Sequence, residues 1–129
     1  MAQRLEQGTH NLASYPLTQT EAEKRSVKVI AILDARNRTK NYSAADFLAH
    51  EGVETYVDSM HAIAHNKIMI IDGTTVLTGS FNFTKAADQK NAENLLVIRD
   101  DKIAAKYEAH FGNVPRFIEH LDFSYSTAP

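Results

Sequence analysis

The stretch that most constrains this chain is residues 27–33, VKVIAIL, followed by Asp34. A short β-branched apolar run, interrupted only by Lys28, reads as a strand that must be buried on both faces. Cover on both faces calls for helices, and the remaining pattern supplies them. Thr18 followed three places on by Glu21 is a capping-box pattern and predicts a short helix over 18–25. Ser43 opens a further helix that Gly52 can end, and residues 53–57 read as a half-buried strand. A short helix over 84–90 and a strand over 94–98 follow. The last clear element is a helix capped by Asp100 or Asp101, whose apolar face is Ile103, Ala104, Tyr107 and Phe111. The expected fold class is therefore α/β, a mixed β-sheet flanked by helices.

At 129 residues, with 43% hydrophobic and 23% charged side chains, a single soluble domain over 1–129 is expected. Residues 1–14 show no clear period and residues 123–129 form a tail, so both are expected to be poorly ordered. No run approaches the length needed to cross a bilayer, and no signal peptide is visible at the start, which leaves periplasm and cytoplasm equally open. The absence of cysteine excludes a disulfide framework, a thiolate zinc site and a cysteine nucleophile. A net charge of −2 argues against a broad basic surface for nucleic acid, though not against a local phosphate site. The densest basic stretch, Arg36, Arg38 and Lys40, reads as a solvated loop slightly ahead of a phosphate contact.

Residues 64–71 and 76–83 are two strand-like runs around Asp72, Gly73, Thr74 and Thr75, which is a hairpin signal. Glycine at the first central position predicts a two-residue type II′ turn with Asp72 facing Thr75. His65 then faces Asn82 and Lys67 faces Ser80, so all four converge on one patch, unless a bulge at Gly79 shifts the register by one residue. Taken singly, these residues are ordinary: a histidine on a strand is usually structural, and serine and asparagine are common near strand ends. Together they match a phosphodiester, because a lysine, a hydroxyl and an amide can hold its non-bridging oxygens while an imidazole attacks or moves a proton.

Residues 65–82 read HNKIMIIDGTTVLTGSFN, that is His-x-Lys, four residues, Asp72, six residues, then Gly-Ser-x-Asn. This resembles the HKD signature of the phospholipase D superfamily, and the following FTKAADQKNAENLLVI is similar to the small bacterial endonucleases of the Nuc type, which carry one motif per chain. The resemblance runs from about Tyr15 to Phe111 and is specific over 65–98. It implies a phospholipase D-like fold whose N-terminal strand–helix unit is shortened here, with 11–17 as a remnant of its strand. It also implies that His65 is the nucleophile that forms a phosphohistidine, or the acid that protonates the leaving oxygen. Lys67 and Asn82 would bind the phosphate with help from Ser80, and Glu93 would hydrogen-bond the histidine and fix its tautomer. Asp72, on the opposite strand parity from His65, is assigned to structure.

The expected function is a metal-independent phosphodiesterase, a nuclease with little sequence preference acting on DNA or RNA, with no cofactor and no metal. In-line displacement puts the entering and leaving groups on opposite sides of phosphorus, so one imidazole cannot serve both. A single-motif chain is therefore expected to form a homodimer with two His65 side chains at a site on the two-fold axis. Two other readings compete. One is a lipid phosphodiesterase, disfavoured because no basic amphipathic helix or apolar interfacial patch is evident and stable membrane association is not expected. The other is a truncated, non-catalytic interaction domain.

Overall fold

The computed structural model describes residues 2–7, 24–37, 43–112 and 119–120. In chain order the strands are β1 (Ala2–Gln7), β2 (Lys28–Asp34), β3 (Glu54–Asp58), β4 (Ile68–Ile71), β5 (Thr75–Gly79), β6 (Leu95–Arg99) and β7 (Glu119–His120). The helices are α1 (Ala44–His50), α2 (Lys85–Gln89) and α3 (Asp101–Gly112), with a 3-10 turn at Ala35–Asn37. The strands form one mixed sheet in the order β6-β5-β4-β1-β2-β3-β7. The neighbours β1, β2 and β3 are parallel, with β7 antiparallel to β3 at one edge, while β4, β5 and β6 run as an antiparallel meander on the other side of β1.

Strand β2 is buried on both faces, as its composition requires. Val29, Ala31 and Leu33 pack with Ala45 and Leu48 of α1 and with Val53 and Val57. Ile32 points the other way, into a second core with Ile68, Ile70, Val76, and Ala104 and Phe111 of α3. Each core covers one face of the same strand, so the sheet is a filled middle layer.

Local chemistry sets the helix ends. Ser43 Oγ accepts from the Asp46 N–H and Asp46 Oδ2 accepts from the Ser43 N–H at 2.8 Å, a reciprocal cap that starts α1. Gly52, at φ 89, turns the chain back so that the Val53 N–H bonds the Leu48 carbonyl. Thr84 Oγ1 accepts from the Ala87 N–H and starts α2. For α3 the cap is Asp100, whose Oδ1 accepts from the N–H groups of Lys102 and Ile103 at 2.9 and 3.0 Å.

Three expectations differ from the structure. The N-terminal strand is Ala2–Gln7, inside the segment expected to be poorly ordered, and it lies between β4 and β2. Its sequence AQRLEQ has little strand propensity; backbone pairing on both sides makes it a strand, which no side-chain pattern announces. The proposed remnant at 11–17, most of the helix over 18–25 and the tail 123–129 lie outside the described residues.

The hairpin is also not of type II′. Ile71 pairs with Thr75, leaving a three-residue loop in which Asp72 (φ 54) and Gly73 (φ 64) are both left-handed and the Thr74 N–H donates to the Ile71 carbonyl. Asp72 tolerates this conformation better than most residues. The register is thus one residue away from the expected one. Finally, the ladder is shorter than the apolar runs, stopping at Ile68 and Gly79. Residues 64–67 and 80–83, expected as strand, leave the sheet.

Gly79 marks that departure. It has φ 151, and a Cβ there would stand 2.3 Å from the Asn94 carbonyl oxygen and 2.8 Å from its Oδ1. At Gly52, although the backbone is left-handed, nothing among the described residues beyond its chain neighbours lies within 4 Å of where a Cβ would stand. Gly79→Ala should therefore lower the unfolding free energy by about 2–4 kcal/mol, against about 1 kcal/mol for Gly52→Ala. Urea denaturation of the two variants checks this, and equal losses would show that the approach to Asn94 is unimportant.

Candidate functional site

The site lies where the chain leaves β5 and enters β4, in an open groove of about 500 Å³ lined by His65, Lys67, Ser80, Asn82 and Glu93, with Asn66, Thr78 and Gly79 completing the wall. All five residues singled out from the sequence are brought together, but not by the expected cross-strand pairing. Strict alternation in the observed register would send Ser80 and Asn82 to the face opposite Lys67. Alternation ends at Gly79, and Phe83 at φ 51 breaks the backbone again before α2, so both polar side chains reach the groove.

Two buried carboxylates at the carboxyl ends of parallel strands hold the segment that delivers His65. Asp34, 2% exposed at the end of β2, accepts from the Arg36 N–H at 2.8 Å and from the Ala64 N–H at 2.6 Å. Asp58, at the end of β3, accepts from the N–H groups of Met60 and His61 at 2.9 and 3.2 Å and meets His61 Nδ1 at 2.7 Å. Burial alone would raise the Asp58 carboxyl; the bonds from the His61 ring, the His61 N–H and the Met60 N–H outweigh it and hold the carboxyl below its ordinary value. The sequence reading missed both aspartates. Their signal was Asp34 closing the buried run, in a fold class where sites gather at the carboxyl ends of parallel strands.

Arg36, from the basic stretch, is spent on structure: Nη2 donates to the Ala62 carbonyl at 2.7 Å. Arg38 and Lys40 lie outside the described residues.

Within the groove, Lys67 is 8% exposed and Nζ donates to the His65 carbonyl at 2.6 Å. Burial pushes its ammonium below the ordinary lysine value, and the Glu93 charge only partly offsets this. A desolvated cation of this kind is a strong electrostatic partner for an anion. Asn82 lines the groove, and its Oδ1 is buried with no hydrogen-bond partner among the described residues. His65 is exposed, with its ring open to an incoming group.

Glu93 is placed differently from the expectation. Its Oε2 accepts from Ser80 Oγ at 2.5 Å and its Oε1 from Asn91 Nδ2 at 3.0 Å, rather than from the His65 ring of the same chain. Those two hydrogen bonds, Ser80 first, hold the carboxyl below its ordinary range. Ser80 in turn accepts from the Asn94 N–H at 3.0 Å and donates its own N–H to the Asn94 carbonyl at 3.1 Å. The Asn91-x-Glu93-Asn94 segment is thus a brace clipped across the end of the hairpin. Asp72 sits exposed in the turn, outside the groove.

Among the described residues no group of three histidines or carboxylates could hold a metal ion. None of the described helices is long and apolar enough to cross a membrane.

Comparison with known proteins shows what the chain is similar to. A sequence model of the family described as "Cardiolipin synthase, PLD-like domain" matches residues 17–114. The chain is 44% identical over 86 residues to a phospholipase D of Rickettsia conorii, and 37% identical over 87 residues to a mitochondrial cardiolipin hydrolase of Xenopus tropicalis. These alignments cover 67% of the chain but only 43% and 41% of the relatives' lengths. The crystal structure of Nuc from Salmonella typhimurium, a phospholipase D family member, superposes with a TM-score of 0.85 at 32% identity, covering 95% of this chain and 82% of that one.

Two titrations follow from the site. Ser80→Ala removes the larger of the two bonds that favour the Glu93 carboxylate, so its midpoint should move up toward the ordinary range in a carbon-detected NMR titration. A midpoint that stays put would leave Ser80 without that role. Asp58, with its folded value depressed, contributes stability that is present above the ordinary carboxyl range and lost as pH falls through it. The stability difference between the parent and Asp58→Asn should accordingly be present at neutral pH and shrink below about pH 4. A pH-independent difference would contradict this.

Proposed function

This chain belongs to the phospholipase D superfamily, and from that premise we propose that it is a phosphodiesterase, a nuclease that cuts DNA or RNA through a phosphohistidine intermediate in a site shared by two copies. The observation that carries the reading is the single groove in which His65, Lys67, Ser80 and Asn82 meet. A phosphodiester seated there puts its non-bridging oxygens against the Lys67 ammonium and the Asn82 carboxamide, with Ser80 assisting. The neutral His65 ring attacks phosphorus, forming a P–N bond as the P–O bond to the leaving group breaks, and a protonated imidazole on the far side gives that oxygen its proton. Water then attacks the phosphohistidine, passing its proton to the second ring and freeing the first. The cation is Lys67, so no divalent metal enters any step.

The second imidazole is supplied by His65 of a second copy across a two-fold axis. In such a pair the Glu93 carboxylate, which does not meet the histidine of its own chain, is available to orient the partner's. Self-association is supported by the surface. Large exposed apolar side chains occur in two segments that run directly into site residues: Met60 and Ile63 ahead of His65, and Leu95, Leu96 and Val97 on the edge strand β6 just after Glu93. An exposed apolar edge strand calls for a partner. This patch was not evident in the sequence, and it also gives the lipid reading a foothold, as do the names of the Rickettsia and Xenopus relatives.

Cleavage of plasmid or oligonucleotide should survive excess EDTA; loss on chelation with recovery on adding magnesium would overturn the metal-free mechanism. His65→Ala should lower kcat about a thousandfold or more, and Lys67→Ala and Asn82→Ala about a hundredfold. A folded His65→Ala protein with near-parental rate would remove the histidine from the chemistry. On dilution, specific activity should fall in step with dimer dissociation followed by light scattering. A fully active monomer, or cleavage confined to phospholipid vesicles, would refute the shared nuclease site.

A further inference from the structure

A second groove, of about 360 Å³, adjoins the first and shares Asn66 and Thr78 with it as a common wall. Both volumes fall in the roughly 300–1,000 Å³ range of small-ligand sites. Its far side is the last half of α3, where Lys106, Tyr107, His110 and Phe111 stand at helical spacing on one face. Ile68 of β4 lies between them and the shared wall.

The lining has a particular chemistry. Three rings form a cluster: Tyr107 stacks on Phe111 with centroids 6.5 Å apart, and His110 meets Phe111 edge-on at 5.1 Å. Phe111 is buried in the second core and Tyr107 packs against it, so the cluster has a rigid floor. Lys106 and His110 are exposed at its rim. Phe111 is buried beneath, so the ring surface open to a ligand is that of Tyr107 and His110, with the Lys106 cation at the edge. This suits a planar ring attached to an anion, and the direct continuation into the first groove sets what that ring is joined to.

We propose that this groove is a nucleoside subsite, which takes the base next to the scissile phosphate against the Tyr107 and His110 rings, backed by Phe111, and the following phosphate on Lys106. The proposal rests on the nuclease reading and narrows it to single-stranded substrate. A base is free to lie on a protein ring only when it is not paired, and stacking of this kind accepts any base. A phospholipid also carries a phosphate that Lys106 would meet, so the feature that favours nucleic acid is the ring surface of Tyr107 and His110, which suits a planar base better than an acyl chain.

The test compares four ligands on the full chain: a single-stranded oligonucleotide, its abasic counterpart, a small aryl phosphodiester and anionic phospholipid vesicles. In a His65→Ala background, where nothing is turned over, Lys106→Ala together with His110→Ala should weaken binding of a labelled single-stranded oligonucleotide about tenfold. In the parent background the same pair should leave kcat/KM on a small aryl phosphodiester, which reaches only the first groove, unchanged within about twofold. Tyr107 is tied to the core, so its contribution is read from the ligand. An oligonucleotide with an abasic residue beside the scissile phosphate should lose about tenfold in affinity for the chain with Tyr107, Lys106 and His110 intact. Unchanged oligonucleotide affinity, no binding at all, an equal loss on the aryl diester, or a loss seen only on anionic phospholipid vesicles each overturns the subsite. Failure of the nuclease reading looks different: the oligonucleotide binds with the predicted dependence on Lys106 and His110 but is not cut.

Discussion

At the end of β5 the backbone of Gly79 passes so close to Asn94 that a methyl group would stand 2.3 Å from its carbonyl oxygen. Nothing larger than hydrogen fits, and a φ of 151 is one that glycine adopts freely. Because the two strands approach this closely, Ser80 can exchange hydrogen bonds with Asn94 through both its N–H and its hydroxyl. That exchange in turn brings Glu93 onto Ser80 Oγ. The polar wall of the groove therefore depends on one missing side chain at the point where regular pairing stops.

The opposite wall is held by a different principle. The segment before His65 has no helix or strand of its own, and the N–H groups of Met60, His61 and Ala64 are satisfied by carboxylates rather than by a ladder. Asp34 and Asp58 are register partners at the ends of neighbouring parallel strands, so their spacing is set by the sheet itself. Buried acceptors without donors are costly, which makes the loop and the two aspartates mutually dependent. A rigid scaffold thereby positions a histidine on an irregular segment whose ring stays open to an incoming group.

Lys67 and Glu93 show how the groove balances charge. The lysine is desolvated, and its ammonium is weakened by burial; the glutamate, tied by Ser80 and Asn91, remains a firm anion. One groove thus presents a desolvated cation and a carboxylate kept ionised. The unsatisfied Asn82 oxygen adds a polar atom with no partner among the described residues. Such unmet demand is tolerated at binding sites and avoided elsewhere.

The sequence by itself determined the layered α/β class, because a run such as residues 27–33 can be buried only between two covers, and it determined the positions of α1, α2 and α3 through Ser43, Thr84 and Asp100. It also singled out His65, Lys67, Ser80, Asn82 and Glu93, since residue types at fixed spacing are a one-dimensional signal. Tertiary structure alone decided how those residues meet. The hairpin register is set by the left-handed pair Asp72 and Gly73, and the groove by the approach of Gly79 to Asn94. Neither follows from alternation along a strand. The strand Ala2–Gln7 was illegible for a related reason, since AQRLEQ is held by backbone bonds to β2 and β4 that its side chains do not encode. Asp34, distant in sequence both from Ala64, which it holds, and from Asp58, was set beside Asp58 only by parallel pairing of β2 and β3. Periodicity and spacing report what a residue is next to along the chain; what it touches across the fold depends on contacts between segments that no local pattern contains.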